Sequence, residues 1–193
     1  MAKCDAKLAS KYRVIAPDLL NFGESDMPIN TDVSINAQCR IMCKFMEELG
    51  ISKVNIAAHD IGGGVAQLMA VNHPDKVNGL VLIDSVCFDS WPIPEFEPLL
   101  EPGVEEKTSV DEFVDTLRDF MPKGVYDSNV MTEELMKIYL TPWSNEKGKA
   151  ALSSLENWIT KGSRILWVPY ILYLSAFYYT GHNDISHAVW DDW

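Results

Sequence analysis

Val54-Asn55-Ile56-Ala57-Ala58-His59-Asp60-Ile61-Gly62-Gly63-Gly64 runs from an apolar, partly β-branched segment straight into three glycines. The first five residues read as a buried strand. From Val65 to Asn72 the chain reads as a helix, stopped by His73-Pro74. Between strand and helix the backbone has to turn sharply over Ala58 to Gly62, and only small neighbours leave room; Ala58 and Gly62 supply them. Asp60 stands at that turn. The first N–H groups of the following helix, that of Ile61 among them, face whatever approaches it and favour an ionised carboxylate.

Working outward, Gly79-Leu80-Val81-Leu82-Ile83 is a second apolar strand that ends at Asp84. On the N-terminal side, Arg13-Val14-Ile15-Ala16 reads as a short strand closed by Pro17-Asp18 and followed by a loop over Leu19 to Pro28. Ile35, Cys39, Met42, Cys43, Met46 and Leu49 recur at helical spacing, with Ser34 placed as N-cap and Gly50 placed to end the helix. Strands alternating with helices predict an α/β fold, a parallel sheet with helices on both faces, whose function lies at the strands' C-terminal ends.

After Asp84 the character changes. Phe88 to Glu106 is rich in proline and acidic residues, and Val110 to Trp158 reads as helices with no strand between them. A helical cap insertion fits this pattern, with Phe113, Leu117 and Phe120 on one face and Leu135, Ile138 and Tyr139 on another. Arg164 to Val168 offers a returning strand. The expected division is an α/β core over 1–86, a helical cap over 87–160 and a C-terminal segment over 161–193.

With 193 residues, 47% of them hydrophobic, the chain can bury one sizeable core. A formal charge of −12 without any Lys/Arg cluster disfavours nucleic acid and membrane-surface partners. The four cysteines, Cys4, Cys39, Cys43 and Cys87, show no CxxC pairing and read as buried thiols. Met1-Ala-Lys-Cys-Asp has no apolar signal core, so a cytoplasmic location is expected. The apolar tract Ile165 to Tyr179 falls short of the roughly 20 residues of a membrane span and contains Pro169, so it reads as a buried element.

An ionised aspartate at the turn can attack an electrophilic carbon directly, forming an ester, and a histidine held by a second carboxylate would then activate water to hydrolyse it. In this the chain resembles the α/β-hydrolase superfamily, and within it the aspartate-nucleophile branch of haloalkane dehalogenases and epoxide hydrolases. The resemblance rests on Tyr12 to Asp26, on the His59-Asp60-Ile61-Gly62-Gly63 turn, on His73 to Asp84, and on the cap-like stretch from Met131 to Trp143. It implies Asp60 as nucleophile, the Ile61 N–H as an oxyanion donor, Asp84 as the triad acid and Tyr139 as a residue facing the site. Asp84 ending a strand and Tyr139 in a core are the structural alternatives. The Gly181-His182 pair offers His182 as the base, with His187 a weaker choice. Relative to the family pattern the chain looks truncated at both ends: the strands and His-Gly turn before Arg13 are missing, and the segment past 160 does not match.

Trp91, Tyr139, Trp143 and Trp158 suggest a small hydrophobic substrate, and no cofactor motif is present. The tryptophan that binds halide in haloalkane dehalogenases is replaced by Ile61. Two further readings compete with an active hydrolase. One is a catalytically impaired, truncated relative, whose shortened sheet would expose an edge open to self-association. The other is a dinucleotide-binding domain, since Gly62-x-Gly64 and Asp84 imitate that pattern, although Gln67 stands where a third small residue belongs. A metal site built on His182, Asp184 and His187 is a further, weaker reading. His59 is expected beneath the sheet and His73 at a helix end.

Overall fold

The computed structural model describes residues 7–87 and 103–153. They fall into two compact units, one taking in residues 32–87 and the other joining 7–31 to 105–153.

In the first unit, helix α1 spans Ile35–Glu48. Ser34 Oγ accepts from the Ala37 N–H at 3.2 Å, and Gly50, at φ +67°, follows the last turn, so both ends form where the capping residues predict. Ile35, Cys39, Cys43 and Met46 are buried on one face. Strand β1 (Val54–His59), helix α2 (Asp60–Asn72) and strand β2 (Val77–Ser85) then form a βαβ unit, with β1 and β2 paired in parallel. Helix α2 packs on both strands and on α1, burying Ile61, Val65, Leu68 and Met69. This is the parallel α/β arrangement that the alternation of strand and helix predicts. The apolar side chains Val81 and Ile83 of β2 remain exposed among the described residues.

Arg13 to Ala16 is not a strand: among the described residues it joins no ladder, and only Val14 is even partly covered. β propensity without a neighbouring strand to satisfy its N–H and C=O groups does not make a strand. The segment leads into a loop that bonds to itself, with Asp18 Oδ2 accepting from the Glu24 N–H at 2.9 Å and Asp26 O from the Asn21 N–H at 3.0 Å.

The second unit also holds the helices α3 (Val110–Phe120), α4 (Glu133–Leu140) and α5 (Glu146–Ser153). Helix α3 opens on a capping box, Ser109 with Glu112, and buries Phe113 and Leu117 as expected. Helix α4 buries Met136 and Leu140, whereas Ile138 is 63% and Tyr139 48% exposed. The expected face was therefore rotated; the buried i, i+4 pair is Met136 and Leu140 rather than Leu135 with Ile138 and Tyr139. Residues 7–31 group here, instead of with the sheet as the sequence division has it, because Asn21 and Phe22 hold Trp143 and Ala151. Asn21 Nδ2 donates to Ala151 O at 3.1 Å, Trp143 Nε1 donates to Asn21 O at 3.4 Å, and the Phe22 and Trp143 rings meet edge to face at 5.9 Å.

No described helix is long and apolar enough to cross a membrane. The tract from 165 to 179 and the segment 161–193 lie outside the described residues.

Candidate active site

Asp60 is the first residue of α2, directly after β1, and holds φ +51°. A non-glycine residue in the left-handed region is uncommon, and aspartate is among the side chains that tolerate it best. The turn is tied to the end of the neighbouring strand. Asp60 bridges to Ser85 in parallel register, and its carbonyl accepts from the Val86 N–H at 3.2 Å. Asp84, also at positive φ (+41°), lies beside this bridge.

The glycines play different parts from those expected. A Cβ on Gly62 would meet nothing within 4 Å among the described residues, so Gly62 is not the residue that makes room. Gly63 is: a Cβ there would run into the Ser85 side chain. Gly64 is the second, with Val86 Cγ2 at 2.8 Å and Ile35 Cδ1 at 3.2 Å from its notional Cβ. Close approach of α2 to the end of β2 therefore sets the turn.

Gln67 locks that approach. Its buried side-chain amide donates to Gly63 O at 3.1 Å and to Val86 O at 3.0 Å, bracing the helix against the chain leaving β2. Sequence reasoning saw in Gln67 only a bulky residue where a nucleotide-binding turn wants a small one. A buried glutamine one helical turn after a glycine is the signal it missed. Gln67→Leu removes both donors and leaves a buried carbonyl unsatisfied, so the variant is expected to lose about 2 kcal/mol. By thermal unfolding that is a Tm lower by about 4–8 °C; an unchanged Tm would remove the clamp from the account.

Electrostatically, Asp60 is exposed yet not in free solution. Desolvation by the surrounding protein pushes its carboxyl up from the ordinary range, and the negative charge of Asp84 adds to this; His59 and the Ile61 N–H act in the opposite sense. The Ile61 side chain is buried in the core, and His59 is exposed rather than tucked beneath the sheet.

The structure brings together Asp60, Ile61 and Asp84. Tyr139 is on the exposed side of α4 and not in a core, while Trp143 is buried and spends its indole N–H on Asn21. A recess of about 480 Å³ in the second unit is lined by Lys107, Ser109, Glu146 and Lys149 and contains none of the expected site residues. Trp91, Trp158, His182, Asp184 and His187 lie outside the described residues.

Residues 2–136 match the alpha/beta hydrolase fold family. The chain belongs to this family. An α/β-hydrolase turn, rather than a dinucleotide-binding one, is therefore what Asp60 and its glycines form. An uncharacterized protein of Mycobacterium tuberculosis (strain ATCC 25618 / H37Rv) is 42% identical over 80 residues, covering 42% of this chain and 23% of that protein. The 2-hydroxymuconate semialdehyde hydrolase of Pseudomonas sp. (strain CF600) is 28% identical over 132 residues, covering 68% of this chain and 44% of the enzyme. Among solved structures, Cfl2 of Burkholderia cenocepacia has the same fold, with a TM-score of 0.72 at 21% identity, covering 91% of this chain and 62% of that one. The chain thus spans less than half the length of these two sequence relatives.

Proposed function

We propose that this α/β-hydrolase chain carries a site of the aspartate-nucleophile type, in which Asp60 forms an ester with a small hydrophobic substrate. The observation that carries the reading is a carboxylate at φ +51° on the turn between a parallel strand and a glycine-opened helix, where the Ile61 N–H favours its ionised form. One Asp60 oxygen bonds to an electrophilic carbon, and the leaving group departs with its electron pair. Water then adds to the ester carbonyl, losing a proton to a base; the second Asp60 oxygen takes up negative charge beside the Ile61 N–H, and collapse releases an alcohol. His182 is the base assigned here and Asp84 the carboxylate that supports it. The substrate class rests on the aromatic residues of the 87–160 segment, of which Tyr139 is exposed.

The test is a panel of epoxides, haloalkanes and activated esters, with peptide mass mapping for an adduct. An adduct on Asp60 is expected, short-lived if the base works and persistent if it does not. No adduct across the panel, or one on another residue, overturns the proposal. Its formation should rise with pH, because only the ionised carboxylate attacks. Desolvation by the surrounding protein and the charge of Asp84 both disfavour the charged form, so the midpoint lies above the ordinary carboxylate range. Asp84→Asn removes one raising influence and should bring the midpoint down. A midpoint unmoved by that change would show that Asp84 does not act on Asp60.

A further inference from the structure

At the other end of α2 from Asp60 lies a group of side chains the hydrolytic site does not use. Cys39 and Cys43 sit one turn apart on α1, 3% and 6% exposed, and His73 caps the C-terminus of α2. The two Sγ atoms and a ring nitrogen of His73 all lie within 4.8 Å of one another. His73 is held in place by its backbone: its N–H donates to Met69 O and its carbonyl accepts from the Lys76 N–H, both at 2.9 Å. Pro74, which stops the helix, makes the turn that brings the imidazole over α1.

We propose that Cys39, Cys43 and His73 form a binding site for a thiophilic closed-shell cation, zinc(II) first among them. Two sulfurs and an imidazole are a soft donor set of the kind zinc prefers over calcium or magnesium. Ideal zinc–sulfur and zinc–nitrogen bonds put tetrahedral ligands about 3.5–3.8 Å apart, so the three donors need close in by only about 1 Å. Charge fits as well. One zinc(II) with two thiolates is neutral and suits a buried position. On binding, the two thiol protons pass to solvent. The half-buried His73 provides the way in, and solvent completes the coordination shell. The ion would pin the end of the nucleophile helix to α1, some 20 Å along α2 from Asp60.

Cobalt(II) titrated into the reduced, full-length protein should give one equivalent of a tetrahedral spectrum with thiolate charge-transfer bands, displaced by zinc(II). Zinc competition against a chromophoric chelator should weaken at least about 10-fold in Cys39→Ser, Cys43→Ser and His73→Asn, and remain unchanged in Cys87→Ser. His73→Asn alters a half-buried helix end and should leave the circular dichroism intact, so its result stands even if a cysteine variant misfolds. A cobalt spectrum without thiolate bands, or zinc affinity unaffected by His73→Asn, would overturn the proposal. So would a Cys39–Cys43 disulfide that persists in the reduced protein.

Discussion

Asparagine in place of Asp60 is expected to abolish the covalent adduct and to lower turnover of the best substrate by about 10⁴-fold or more, with no change in fold. The two side chains have the same shape, and asparagine also tolerates the left-handed backbone at φ +51°. The bridge to Ser85 and the bond from the Val86 N–H to the residue-60 carbonyl are backbone interactions and survive the change. What is lost is nucleophilicity, since a neutral amide oxygen attacks carbon far more weakly than a carboxylate. The comparison to make is kcat/KM for Asp60→Asn against the unaltered chain, with circular dichroism and Tm measured alongside. Turnover within tenfold of the parent would mean that bond cleavage runs through another group.

The second large effect concerns Gly63. Gly63→Ala drives a methyl group into the Ser85 side chain, which has no flexible end to swing aside. Either α2 lifts from the end of β2 or the strand shifts, and overpacking of this kind costs about 1–3 kcal/mol. Because the displaced backbone is the one that aims Asp60, adduct formation should fall along with Tm. Gly62→Ala is the control: its methyl meets open space, and the better helix propensity of alanine should stabilise α2 by up to about 1 kcal/mol. Adding Ser85→Gly to Gly63→Ala removes the obstructing atoms and should recover much of the lost stability, a coupling that thermal unfolding of the four proteins in a double-mutant cycle measures directly. Additive effects would place the strain elsewhere.

Much of the architecture was legible because it is encoded locally. Ser34 and Gly50 bracket α1 as caps that act within one turn of the chain, and the passage from Val54–Ala58 into three glycines marks the strand-to-helix turn without help from elsewhere. What the sequence concealed depends on neighbours distant along the chain. Which glycine is tight is decided by Ser85 and Val86, over 20 residues on, so Gly62 drew attention that belonged to Gly63. Arg13 to Ala16 has the composition of a strand and, among the described residues, no partner. The buried face of α4 turns on contacts with α3 that periodicity alone cannot orient in a helix of 8 residues. The four-residue spacing of Cys39 and Cys43 is visible on the page, but the imidazole that joins them comes from the next helix. Of the proposed site, the placing of Asp60 on the turn, with Ile61 after it and Asp84 near the end of the next strand, was readable, whereas the clamp by Gln67 required coordinates.

The hold of Asn21 on Trp143 and Ala151 joins positions up to 130 residues apart. The helical unit is therefore discontinuous, with the whole of the βαβ segment spliced between its two halves. During synthesis the loop around Asn21 leaves the ribosome early and must wait for Trp143 and Ala151 until more than a hundred further residues have followed. Only then can Trp143 and Ala151 close over it, so the βαβ segment has the chance to fold first and the helices dock last. A protease cut anywhere in the intervening stretch would leave the Asn21 loop attached to its helices by hydrogen bonds and ring packing alone.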